Sequence, residues 1–169
     1  MPLLSGSCDG MLQNIMSPEY EKQLRDKYPN LFRKVRRVGR GPAPIETRGI
    51  ECEDGWYDIL DSLFDHLMRP LDWVKASSSN VADPDKVRAA PEREFKRLPA
   101  LIQVKEKLGR LRIYIHGGNR RVSELIAVAE QRSGKVCEIC GRTGIFRNDG
   151  WLRVRCDECE IASQDKQSF

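Results

Sequence analysis

Cys137-Glu138-Ile139-Cys140 and Cys156-Asp157-Glu158-Cys159 decide how the last third of this chain folds. Fifteen residues, 141 through 155, separate the pairs, which is the spacing of a structural zinc site. Two residues between thiolates let one tight turn aim both sulfurs at the same ion, at about 2.3 Å each, and a second pair at the end of a hairpin completes a tetrahedron. Gly141 supplies backbone freedom at the first turn, Asn148-Asp149-Gly150 reads as the hairpin turn, and Trp151-Leu152-Arg153-Val154-Arg155 reads as the strand leading into the second pair. The expectation is a zinc ribbon at residues 135–160 with a flexible tail at 161–169. A single Zn²⁺ on Cys137, Cys140, Cys156 and Cys159 has no open coordination position, so its expected role is structural.

Upstream, Trp56, Ile59, Leu60, Leu63, Phe64 and Leu67 recur at helical spacing, and Asp54 is placed to cap that helix. Asp54, Asp58, Asp61 and Asp65 form an acidic stripe on another face, read as solvated or paired to the basic arm of residues 33–48. Ile102 and Val104, then Leu111, Ile113 and Ile115, alternate with polar residues about Gly109, which predicts two antiparallel strands. Val122, Leu125, Ile126 and Ala129 predict a further helix ending near Ser133-Gly134. Pro18 to Tyr28 reads as a short helix capped by Ser17, and Arg33, Lys34, Arg36, Arg37, Arg40 and Arg48 make a basic, extended arm.

The fold class is therefore α+β: helices on a small antiparallel sheet, followed by the ribbon. The expected units are residues 1–50 (helix and arm), 51–134 (body, with a polar loop at 76–100) and the C-terminal module.

With 40% hydrophobic and 32% charged residues the composition is that of a globular protein. No apolar run approaches the roughly 20 residues of a membrane span, and Met1 to Cys8 carries no export signal, so no membrane is expected and the location is read as cytoplasmic. That favours metal ligation over cystine for the paired cysteines and leaves Cys8 and Cys52 as ordinary thiols. Four thiolates and one zinc ion would lower the formal net charge of +4 to about +2, so charge distribution informs more than its total.

Two basic regions are candidates for phosphate contact. In the ribbon, Arg142, Arg147, Arg153 and Arg155 lie among Phe146 and Trp151, which can stack on unpaired bases, but Glu138, Asp149, Asp157, Glu158 and Glu160 dilute the field. On and beyond the strand pair are Lys105, Lys107, Arg110, Arg112, Arg120 and Arg121, and alternation puts Arg110, Arg112 and Tyr114 opposite Leu111, Ile113 and Ile115. The candidate nucleic-acid or partner-binding set is Arg110, Arg112, Arg120, Arg121, Arg153, Arg155 and Trp151. The plainer alternatives are a structural staple and a solvated face. No catalytic constellation is present: His66 lies near an apolar stripe, and His116 with Asn119 lacks further ligands for a metal-supported nuclease.

The runs Glu51 to Leu60 and Val104 to Tyr114, followed by CxxCG and CxxC, resemble a family of small uncharacterised proteins of phages and bacterial mobile elements. The order and spacing span roughly residues 20–160. The family's Phe-Gly-Gly-Leu-Arg-Phe-Tyr stands here as Leu108-Gly109-Arg110-Leu111-Arg112-Ile113-Tyr114, keeping the strand while losing aromatics and a glycine. The resemblance implies a phage or prophage origin and a zinc ribbon, and carries no activity over. The expected function is that of a non-enzymatic zinc-ribbon protein, acting in the host cytoplasm, that binds nucleic acid or regulates a nucleic-acid machine. The alternative is a protein-binding inhibitor of a host defence complex, of anti-CRISPR type.

Overall fold

The computed structural model describes residues 15–37, 40–78 and 98–165. Expectations for Cys8, for most of the polar loop and for the last four residues lie outside these. The elements are α1 (Pro18–Lys27), α2 (Pro44–Thr47), β1 (Ile50–Glu51), a 3-10 turn (Asp54–Trp56), α3 (Tyr57–Ser78), β2 (Ala100–Glu106), β3 (Leu111–His116), α4 (Arg120–Ser133), β4 (Ile145–Arg147), β5 (Arg153–Arg155) and α5 (Asp157–Asp165).

The α+β class holds, with one addition to the sheet. β2 and β3 pair antiparallel as the alternation requires, and β1 joins β2 in parallel, with Ile50 opposite Val104. The β2–β3 register slips between Leu101 and Gln103. This bulge turns Leu101 inward to full burial and leaves Ile102 half-buried, where simple alternation puts Ile102 inside.

One core joins residues from Met16 to Ala129. The stripe Trp56, Ile59, Leu60, Leu63, Phe64 and Leu67 is buried against Val104, Leu111, Ile113, Ile126 and Ala129, each large side chain contributing on the order of 2 kcal/mol. Met16, Leu24, Tyr28, Leu31, Ala43 and Ile45 enter the same core, so the N-terminal segment is built into the body. Arg33 belongs to that construction: its guanidinium donates to the carbonyls of Asn30, Leu98 and Pro99, while the Leu101 N–H donates to Leu31 O at 2.8 Å.

Two capping expectations are corrected. Ser17 precedes α1 but its side chain caps nothing; its backbone N–H instead donates to Asp54 Oδ1 at 2.7 Å. With that oxygen engaged, Asp54 opens a 3-10 turn and α3 starts at Tyr57. α3 also runs past Leu67 to Ser78, so residues 76–78 are helix and not loop. Within the acidic stripe, Asp61 pairs with Lys27 at 2.8 Å and accepts the Tyr28 hydroxyl at 2.8 Å, which ties α3 to α1.

β3 is an edge strand whose amides are satisfied by α4. Leu111 N–H donates to Ser133 Oγ at 3.0 Å and Ile113 N–H to Glu130 Oε1 at 3.0 Å. Asn119, noted beside His116 in the sequence, is the cap of α4, accepting Val122 N–H at 3.1 Å.

Candidate metal centre

The four cysteine sulfurs at 137, 140, 156 and 159 all lie within 4.8 Å of one another, with Cys140 Sγ and Cys156 Sγ 3.7 Å apart. Ligands about 2.3 Å from a tetrahedral ion stand about 3.8 Å apart. A disulfide would need about 2.05 Å. Donor type and spacing therefore fit a metal cage, and the fold of this region is compatible with a zinc ribbon.

The first pair is carried by a tight turn. Cys137 N–H donates to Arg142 O at 2.7 Å and Gly141 N–H to Cys137 O at 3.0 Å, with Gly141 in the left-handed region at φ 75°. The second pair is carried by a helix: Cys156 immediately precedes α5 and Cys159 lies in its first turn. The second pair thus sits at the N-terminal end of α5. Residues 161–165, expected as the start of a flexible tail, continue α5 through Asp165.

Arg142 braces both pairs. Its Nε donates to Cys140 Sγ at 3.4 Å, Nη2 stands 3.9 Å from Cys156 Sγ, and both Nη groups grip the Glu158 carboxylate at 2.6 and 2.9 Å. Burial pushes the Cys140 thiol up, but the Arg142 guanidinium and backbone amide outweigh it and leave the value at about 6. Burial pushes the Cys137 and Cys159 thiols up.

The cage is bolted to the core at one place that the sequence reading missed. Gly55 N–H donates to Glu138 O at 2.8 Å, and the Trp56 indole donates to Val136 O at 2.9 Å. A Cβ at Gly55 would come within 2.2 Å of Cys137 O, so only glycine permits this approach. The fully buried Trp56 therefore serves both the core stripe and the ligand turn.

The ribbon arginines are committed internally. Arg153 pairs with Glu160 and with Asp149, its side chain 12% exposed against 6% for Glu160. Arg155 donates to Glu138 Oε1 at 2.9 Å, where Glu138 is 2% exposed, and Arg147 binds Asp157 at 2.6 Å. The acids that dilute the charge in sequence pair with these cations one by one, so Arg153 and Arg155 are each held by a carboxylate of the module. Arg153 also holds the Glu160 carboxyl below the usual carboxylate range, against a smaller opposing effect of burial. Trp151 is 70% exposed, as a binding role would require.

The structure does not gather the remaining candidates into one cluster. Arg112 pairs with Glu130 at 3.1 Å across the β3 edge, and Arg120 with Glu124 at 2.8 Å along α4. Among the described residues, no carboxylate pairs with Lys105, Lys107, Arg110 or Arg121. His66 is exposed and its Nδ1 stands 2.7 Å from Ser62 O, while Cys52 is fully buried.

Fold and site together define an α+β protein with a C-terminal cluster of four cysteines whose spacing suits a metal ion. No family model matches the chain, and neither a curated protein nor a solved structure matches it. No helix among the described residues is long and apolar enough to cross a membrane.

Proposed function

We propose that the module holds one structural zinc ion and that the protein is a non-enzymatic binder of single-stranded nucleic acid, encoded by a phage or mobile element, acting through the outer face of the three-stranded sheet. The observation that carries this reading is on that face. Tyr114 is 46% exposed, and Lys105 Nζ stands 5.7 Å from its ring centroid without an acidic partner. Helices α3 and α4 pack together beneath the opposite, apolar face. A ring beside an uncommitted ammonium offers stacking to a base and charge to a phosphate. Lys107 and Arg110 flank the β2–β3 turn, and Arg120 and Arg121 open α4, whose first turn holds no acid. Arg120 is held along the helix by Glu124, whereas Arg121 opposes the helix dipole with no acidic partner among the described residues.

The test is fluorescence anisotropy with labelled oligo-dT and oligo-rU at low salt. Binding that weakens steeply as salt rises is expected. No binding to either strand would overturn the proposal.

A second reading, a protein-binding inhibitor of a host nucleic-acid machine, has its own observation. Leu108, at the tip of the β2–β3 turn, is a non-glycine residue at φ 57° and 62% exposed, and the adjoining Gly109 abuts exposed Phe146. Purification from host lysate with nuclease treatment separates the two readings: a host protein retained after nuclease favours the second.

A further inference from the structure

A groove of about 320 Å³ lies where α1, the start of α3 and the first cysteine turn meet, lined by Tyr20, Asp54, Gly55, Tyr57, Asp58, Ile139, Cys140 and Gly141. It lies apart from the sheet face and does not depend on the nucleic-acid reading.

Two of its walls are aromatic and two are acidic. The Tyr20 and Tyr57 rings pack with centroids 4.6 Å apart at 34°, and Tyr20 is 39% exposed. Asp54 has one carboxylate oxygen engaged, by the Ser17 N–H. Asp58 is exposed and, among the described residues, has no ion-pair partner. The cations that could have filled this role are taken: Lys22 by Asp26, Lys27 by Asp61 and Arg142 by Glu158. The groove is therefore a concavity with aromatic surface and uncompensated negative charge, which is the chemistry that recognises an ammonium or guanidinium group.

We infer that this groove receives a lysine or arginine side chain from a basic segment of a protein partner. Charge complementarity selects the occupant. Exposed ring surface and the two carboxylates offer the cation attraction from both sides, and the Gly55 and Gly141 backbones, close enough that a Cβ on Gly141 would stand 3.1 Å from Gly55 O, form the floor.

The experiment is an amide-resolved NMR titration of the full chain with hexalysine and hexaarginine peptides, with hexaglutamate as control and spermine as a competing arm. The expected result is saturable displacement of the Gly55, Tyr57, Ile139 and Gly141 amides by a basic peptide, with none from hexaglutamate. Asp58→Asn and Tyr20→Ala should each weaken binding about threefold or more, and Tyr20→Phe should bind like the parent. The remaining amides of each variant report whether the fold is intact; both altered side chains are exposed, and should one variant fail to fold the other decides. Shifts confined to other acidic surfaces, variants that bind unchanged, or spermine binding at least as tightly as the peptides would overturn the inference. A sheet face that fails to bind nucleic acid would leave this result untouched.

Discussion

The Trp56 indole donates a hydrogen bond to the carbonyl of Val136 at 2.9 Å, joining the 3-10 turn that leads into α3 to the residue before the first cysteine of the cluster. This bond ties the core to the cysteine turn. Trp56→Phe keeps most of the apolar contact and deletes the donor, leaving the Val136 carbonyl unsatisfied, so a loss of about 1–3 kcal/mol is expected. Chemical denaturation measures it, and faster metal loss to a chelator should accompany it.

Gly55 makes the same junction by close approach. In Gly55→Ala the new methyl carbon would meet Cys137 O at 2.2 Å, so the ligand turn must move away from α3. Several-fold weaker metal retention is expected in a chelator competition, with β2 and β3 amides unchanged. Retention equal to the parent would show that the contact is dispensable.

Arg153 and Glu160 form the buried ion pair of the module, at 12% and 6% exposure. Glu160→Gln leaves the guanidinium with Asp149 as its remaining anion and should cost about 1–3 kcal/mol, read as a drop in the module's unfolding midpoint. Arg153→Gln should do the same, whereas a true phosphate ligand would lower nucleic-acid affinity without loss of stability.

Acid should separate the module from the core. Arg142 holds the Glu158 carboxyl down and Arg153 holds the Glu160 carboxyl down. A group whose folded value is depressed stabilises the fold above its unfolded value, and that stability is lost as pH falls below about 4.3. Thiolate protonation acts in the same direction. Glu53 and Glu106 are pushed up by burial, so protonation there favours the folded core. Amide peaks of residues 137–160 should therefore vanish before those of β2 and β3 as pH falls.

Tyr114→Ala removes the exposed ring of the sheet face and Lys105→Gln the ammonium beside it. Loss of about 1–3 kcal/mol in single-strand affinity is expected for the first. A shallower salt dependence is expected for the second, with thermal stability unchanged in both. Unaltered anisotropy curves for both would remove the sheet face from consideration.

What sequence could disclose here was whatever depends on period or spacing. The Trp56 to Leu67 stripe, the strand pair about Gly109 and the two cysteine pairs each follow from local geometry, and the structure builds all three. What escaped depends on contacts between distant residues. β1 is only two residues long and pairs in parallel across more than 50 positions, so no local pattern announces it. Asp54 reads as a cap until Ser17 N–H takes its carboxylate. Arg153 and Arg155 read as candidate phosphate ligands, and in the fold each is held by an acid, Glu160 and Glu138 respectively. The acids of the module were the available signal, and only the third dimension showed that they neutralise specific partners.

The convergence of Cys137, Cys140, Cys156 and Cys159 carries the rest, and native mass spectrometry with elemental analysis tests it most directly. One zinc ion per chain, with those four thiols unreactive toward a thiol reagent until a chelator is added, is the expected result. A folded, metal-free chain whose four thiols react freely, or are oxidised to disulfides, would contradict it.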